Sequence, residues 1–126
     1  KRLREDGLEV ERWNRLNPMA EPRVPLVTRL LADAPGPIVA VTDFVRAVPE
    51  LIAGFVPKRF VALGTDGYGR SDTRDSLRSF FETDTPNIVV TVLHELSKVG
   101  RLDPAVVAEA LAHYGIAANP TPPWQR

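Results

Sequence analysis

A chain of 126 residues with 44% apolar content suits one soluble domain, because that length buries roughly two thirds of the surface its unfolded form exposes. Lys and Arg number 16 and Asp and Glu number 16, so no overall field draws the chain toward nucleic acid or an anionic membrane. The absence of cysteine excludes disulfides, a thiol nucleophile and cysteine metal sites, and is compatible with a reducing cytoplasm. No apolar run approaches the ~20 residues of a membrane span, and the start, KRLREDGLEVERW, lacks the apolar stretch of a signal peptide. That start has no methionine and falls inside a charged helical pattern, so further residues are expected upstream.

Leu8, Val10, Trp13 and Leu16 are loosely spaced among charges, and the spacing predicts a surface helix over 7–16 that ends before Asn17-Pro18. A linker runs to Pro25, which suits the first helical position. Leu26, Val27, Leu30 and Leu31 then share a face, giving a short helix stopped by Ala34-Pro35-Gly36-Pro37. Residues 38–41 are continuously apolar and rich in β-branched side chains, the pattern of a strand covered on both faces. Asp43 is a candidate helix cap. Phe44, Val45, Val48, Leu51, Ile52 and Phe55 recur at helical spacing, and Pro49 predicts an irregular first turn with the better helix starting there. Residues 60–63 read as a second buried strand, so 38–64 form a parallel βαβ unit, right-handed by the general rule.

Downstream, Asp72 or Ser71 is expected to cap a helix whose Leu77, Phe80 and Phe81 face inward. Thr85-Pro86 opens another, carrying Ile88, Val89, Val92, Leu93, Leu96 and Val99 to Gly100; the run 88–93 also suits a strand. Asp103-Pro104 begins a last helix with Val106, Val107, Ala110, Leu111 and Tyr114 inside, stopped by Gly115. The tail, 117–126, is proline-rich and is expected to be flexible or draped on a neighbour. Two apolar parallel strands cannot be a finished sheet, because each leaves backbone donors and acceptors unpaired along its outer edge. The chain therefore reads as part of a larger protein, its sheet completed from upstream, from another chain or by 88–93.

The segment GTDGYGR, with Gly64, Thr65, Asp66, Gly67, Tyr68, Gly69 and Arg70, follows a strand and precedes a helix, where phosphate-binding loops sit. Its order is G-x-x-G-x-G, not the dinucleotide G-x-G-x-x-G, and no Lys-Ser or Lys-Thr follows as a P-loop needs. Asp72 and Asp75 would also repel a phosphate from the helix start. The preferred reading is a tight crossing that needs glycine; the alternative is a ligand or partner loop with Asp66, Tyr68 and Arg70 as contacts. His94 and His113 lack a second ligand at helical spacing and read as helix-surface residues. Ser71 lacks the G-x-S-x-G context of a nucleophile and reads as a capping hydroxyl. The alternating signs of 70–75 read as local ion pairs, and Trp13 and Trp124 as tucked against the part of the larger protein expected outside these residues.

Three stretches, LLADAPGPIVAVTDFVRAVPELIAGFVP, FVALGTDGYGRSDTRDSLRSFFETD and VVTVLHELSKVGRLDPAVVAEAL, resemble the C-terminal domain of the homodimeric bacterial pyruvate dehydrogenase E1 component. The wording VPLVTRLL and AVPELI is most similar to actinobacterial members. The resemblance implies a transketolase-type chain of three α/β domains, the last a mostly parallel five-stranded sheet wrapped by helices, with its first strand upstream of Lys1. It implies an enzyme that decarboxylates pyruvate on thiamine diphosphate held by magnesium and reductively acetylates the lipoyl group of the E2 dihydrolipoyl acetyltransferase. The cofactor, metal and catalytic motifs of the family are absent from these residues, so the resemblance assigns no catalytic, cofactor-binding or metal residue here. The expected role is structural, with the 64–70 turn as a support or partner loop. The alternative is a free-standing doubly wound domain that binds a nucleotide or anion at that turn.

Overall fold

The computed structural model describes residues 1–126. Its centre is a parallel pair of strands, β1 (Ile38–Val41) and β2 (Phe60–Leu63), in the register Ile38 to Phe60, Val39 to Val61, Ala40 to Ala62 and Val41 to Leu63. The ladder extends past both ends: Ile38 N–H donates to Arg59 O at 2.8 Å and Thr42 N–H to Leu63 O at 3.1 Å. The helices are α1 (Arg2–Leu16), α2 (Leu26–Leu31), α3 (Ala47–Glu50), α4 (Arg74–Phe80), α5 (Thr85–Lys98) and α6 (Pro104–Tyr114). The fold is α/β with the expected parallel unit, and no helix is long and apolar enough to cross a membrane.

Local chemistry explains most element ends. Asp84 caps α5 by accepting Asn87 N–H at 3.2 Å, and Asp103 caps α6 by accepting Ala105 N–H at 2.8 Å. Gly115 closes α6 in the left-handed region at φ 65°. Helix α1 is longer than its apolar spacing predicts, and its one buried residue is Gly7. A Cβ at Gly7 would lie 2.5 Å from the Phe55 ring, so the helix carries glycine there to let the ring lie on its backbone. Asp6 accepts Leu26 N–H at 2.6 Å, and Asn14 exchanges bonds of 2.8 and 2.9 Å with the backbone of Arg23. These bonds tie the 17–25 linker and α2 back onto α1.

Several expectations are corrected. Asp43 caps no helix: its carboxylate pairs with Arg78 at 3.2 Å, while its carbonyl accepts the Thr65 hydroxyl at 3.1 Å. Pro49 lies within α3 rather than opening the better helix, because its missing N–H falls among donors that a first turn leaves unbonded anyway; a 3-10 turn, Ala53–Phe55, follows. Thr73, not Ser71 or Asp72, caps α4, its hydroxyl accepting Ser76 N–H at 3.3 Å. The 88–93 run is helical, as the reading from Thr85-Pro86 has it, and the strand alternative does not form, since Asp84 and Pro86 start a helix that β-branched residues do not interrupt. Val106 and Tyr114, expected inside, are exposed, as are Leu30 in α2 and Val41 in β1.

The core is shallow. The buried apolar residues are Val27, Ala62 and Phe81, and no large side chain is fully enclosed. The accessible surface is 8752 Å², against about 6,700 Å² for a compact monomer of 13.9 kDa on the usual mass scaling. A run of exposed apolar side chains lies at the end of β1 and just after it, at Val41, Phe44, Val45, Val48 and Leu51.

A polar clamp supplements this core. Glu95 of α5, 3% exposed, accepts Arg59 Nε–H at 2.8 Å just before β2 and faces Lys98 Nζ at 3.7 Å. The hydrogen bond from Arg59 lowers the Glu95 carboxyl below its ordinary range; burial opposes this, and the charges of Arg59, Lys98 and His94 reinforce it. Because the folded value is depressed, the clamp contributes fully above the ordinary glutamate value of about 4.3 and is lost as pH falls through the folded value. Glu95→Gln is expected to flatten that acid limb, measured as amide exchange of β2 and α5 across pH in a chain of the relatives' full length. Gly7→Ala is expected to destabilise α1 docking by about 1 kcal/mol, since overpacking of about 1–3 kcal/mol exceeds a helix-propensity gain of about 1 kcal/mol. Urea unfolding followed at α1 amides measures it.

Candidate functional site

The turn after β2 is bound by the chain's own backbone. Thr65 N–H donates to Phe44 O at 2.9 Å, so residues 64–66 lie directly against the segment leaving β1. Gly64 is the closest point: a Cβ there would lie 2.6 Å from Phe44 O and 2.8 Å from Arg46 N. Gly67 holds φ +117°, which side-chain residues rarely adopt, and an added Cβ would meet Trp124 Cα at 3.0 Å. Gly69 has nothing within 4 Å.

Asp66 faces inward and is occupied. Its carboxylate accepts Arg46 N–H at 2.9 Å and pairs with Arg46 Nε. Burial pushes the Asp66 carboxyl upward, but the side-chain and backbone hydrogen bonds and the charge of Arg46 together outweigh it and hold the group below its ordinary range. The Arg46 guanidinium lies 4.8 Å from the Trp124 ring centroid, so one arginine links the segment after β1, the turn and the residues near the end of the chain. Neither Arg46 nor Trp124 carries a motif that marks it for this place. Their adjacency arises from the crossover alone.

The outer half of the turn faces solvent. Tyr68 is 85% exposed, and Arg70 lies over the Phe80 ring at 4.0 Å. With Arg74, Arg78, Asp43 and Asp72 they border an open groove of about 490 Å³ at the carboxyl end of the strands. Of the expected contacts, the fold therefore separates Asp66, used internally, from Tyr68 and Arg70, which remain free to meet a partner. Ser71 is exposed, and His94 and His113 lie on exposed faces of α5 and α6. No group of three or more His, Asp or Glu is placed to hold a metal ion. Acidic residues precede and enter the first turn of α4, with Asp72 accepting Thr73 N–H at 2.7 Å. This opposes an anion there.

The three turn glycines are expected to respond differently to alanine. Gly64→Ala and Gly67→Ala each cost about 1–3 kcal/mol through overpacking or backbone strain, whereas Gly69→Ala stays within about 0.5 kcal/mol. Denaturant midpoints of the three variants in the full-length protein test this ranking.

No protein-family model matches the chain. It is 49% identical over 115 residues to a "Pyruvate dehydrogenase E1 component" of Pseudomonas aeruginosa, a match covering 90% of this chain and 13% of that protein. Proteins of the same name from Escherichia coli K12 and Mycolicibacterium smegmatis are 44% identical over 122 residues and 45% over 114, covering 14% and 12% of those proteins. The chain spans about one eighth of the length of these relatives, at 12% to 14%. Matching them over 90% to 96% of its own length, the chain belongs to the pyruvate dehydrogenase E1 component family, as a segment of that longer protein.

Proposed function

We propose that this segment is the C-terminal, non-catalytic assembly domain of a pyruvate dehydrogenase E1. That enzyme decarboxylates pyruvate on thiamine diphosphate held by magnesium and passes the acetyl unit, with reduction, to the lipoyl group of the E2 dihydrolipoyl acetyltransferase. In this reading it acts as a cytoplasmic homodimer. The residues present here do not fit either cofactor: no cluster of metal-ligating side chains is placed together, and Gly64 and Gly67 face their own chain instead of an open phosphate cradle. No chemical step is assigned to them.

The observation that carries the reading is the unfinished burial of the sheet. The accessible surface exceeds the compact-monomer scaling by about 2,000 Å², more than the ~800 Å² that one partner contributes to a standard interface. Two strands with open outer edges and an apolar run after β1 need covering by further parts of a larger chain. Tyr68 and Arg70 remain as a small aromatic and basic surface of the kind enriched at protein contacts.

In a chain of the relatives' full length, the double substitution Tyr68→Ala and Arg70→Ala is expected to weaken association with E2 at least tenfold. Pyruvate-dependent reduction of an artificial electron acceptor stays within about twofold of the parent. Loss of that reduction with a normal fold would instead place the turn in the support of the active site. Saturable binding of thiamine diphosphate, NAD or ATP by residues 1–126 would overturn the reading in favour of a ligand-binding turn.

A further inference from the structure

Residues 121–126 form a short strap across the glycine turn. Pro123 is buried, and Trp124 Cα occupies the place where a side chain on Gly67 would project. The strap is pinned at each end by an arginine. Arg46 reaches across from the segment after β1 and lies over the Trp124 ring at 4.8 Å. Arg126 pairs with Glu82 Oε1 at 2.9 Å, bonds to Thr121 O and lies 5.5 Å from the Phe80 ring centroid, the ring that Arg70 also covers. Beneath the strap a small, partly open space of about 50 Å³ remains, bordered by Gly64, Asp66, Phe81, Glu82, Pro123 and Trp124. That volume is on the scale of a few waters.

We infer that the 121–126 strap is a clasp that sets the conformation of the 64–70 turn, so that Tyr68 and Arg70 are presented only while the clasp is docked. The turn has few other restraints on its outer half, since Gly67 and Gly69 are conformationally free and Tyr68 projects into solvent. The clasp is weakly held: Trp124 is 47% exposed, and both arginine pairs are partly open to solvent. Segments with so few buried contacts open without unfolding the rest of a domain. Docking of the strap and engagement of any partner by the ordered turn are then reciprocally linked, each favouring the other. The clasp does not depend on the identity of that partner.

The test is amide hydrogen exchange of the full-length protein, comparing the parent with Trp124→Ala and Arg126→Gln. Exchange over 64–70 is expected to rise at least tenfold in Trp124→Ala and by a smaller factor in Arg126→Gln, with β2 and α5 amides within twofold of the parent. Turn protection within twofold of the parent in both variants would overturn the clasp. Protection lost throughout β2 and α5 in both would do the same, because the strap would then be ordinary core support. If Trp124→Ala alone unfolds the domain, Arg126→Gln decides by the same criterion. Binding to E2 does not enter this readout, so the clasp and the assembly reading fail separately.

Discussion

Two four-residue parallel strands, paired only with each other, are the constraint on which the rest depends. Their inner ladder is complete, and their outer edges offer backbone donors and acceptors to something else. A parallel pair also needs helices on both faces, since its side chains are apolar on both. Within 126 residues the helices meet this need only partly, which leaves Val41 and the apolar run after it open. Membership in a family of much longer proteins is consistent with that deficit, since a long chain has further strands and helices to supply.

With little deep apolar burial, position is held by polar contacts that cross between elements. Glu95 with Arg59 joins α5 to the start of β2, Arg46 with Asp66 joins the segment after β1 to the turn after β2, and Asp6 joins α1 to the start of α2. Each is partly open to water at the cationic or backbone end, so each contributes modestly compared with a buried aromatic. Their value lies in geometry. Together with the Thr65 bonds to Asp43 O and Phe44 O, the Arg46 contacts fix the carboxyl ends of β1 and β2 beyond the ladder itself.

The glycine turn shows how one loop separates two duties. Its inner residues, Gly64, Thr65 and Asp66, are used against the backbone of residues 43–46 and are closed to a ligand. Its outer residues face solvent and are steadied from behind by residues 121–126. A loop at the carboxyl end of a parallel sheet is where many folds place chemistry. Here the same position is taken up by the chain's own packing, and what stays exposed is Tyr68 and Arg70.

Much of the architecture was legible in the residues. Continuous apolar runs at 38–41 and 60–63 marked the strands, and Thr85-Pro86 and Asp103-Pro104 starts with Gly stops marked the last two helices, because these signals act within a few residues of the element they shape. The open sheet edge was legible too, as a matter of counting strands. Tertiary structure decided what local chemistry leaves undetermined. Thr73 took the cap from Asp72, since Asp72 bonds within its own turn, and Asp43 was drawn from capping to an ion pair with Arg78, a residue far along the chain. The Gly64 crossing required glycine for a reason visible only when Phe44 O lies beside it, and Gly7 for the Phe55 ring. Arg46 and Trp124 carried no signal at all, because their meeting depends on distant segments brought together by the crossover, and no pattern of neighbours in the chain encodes a contact of that separation.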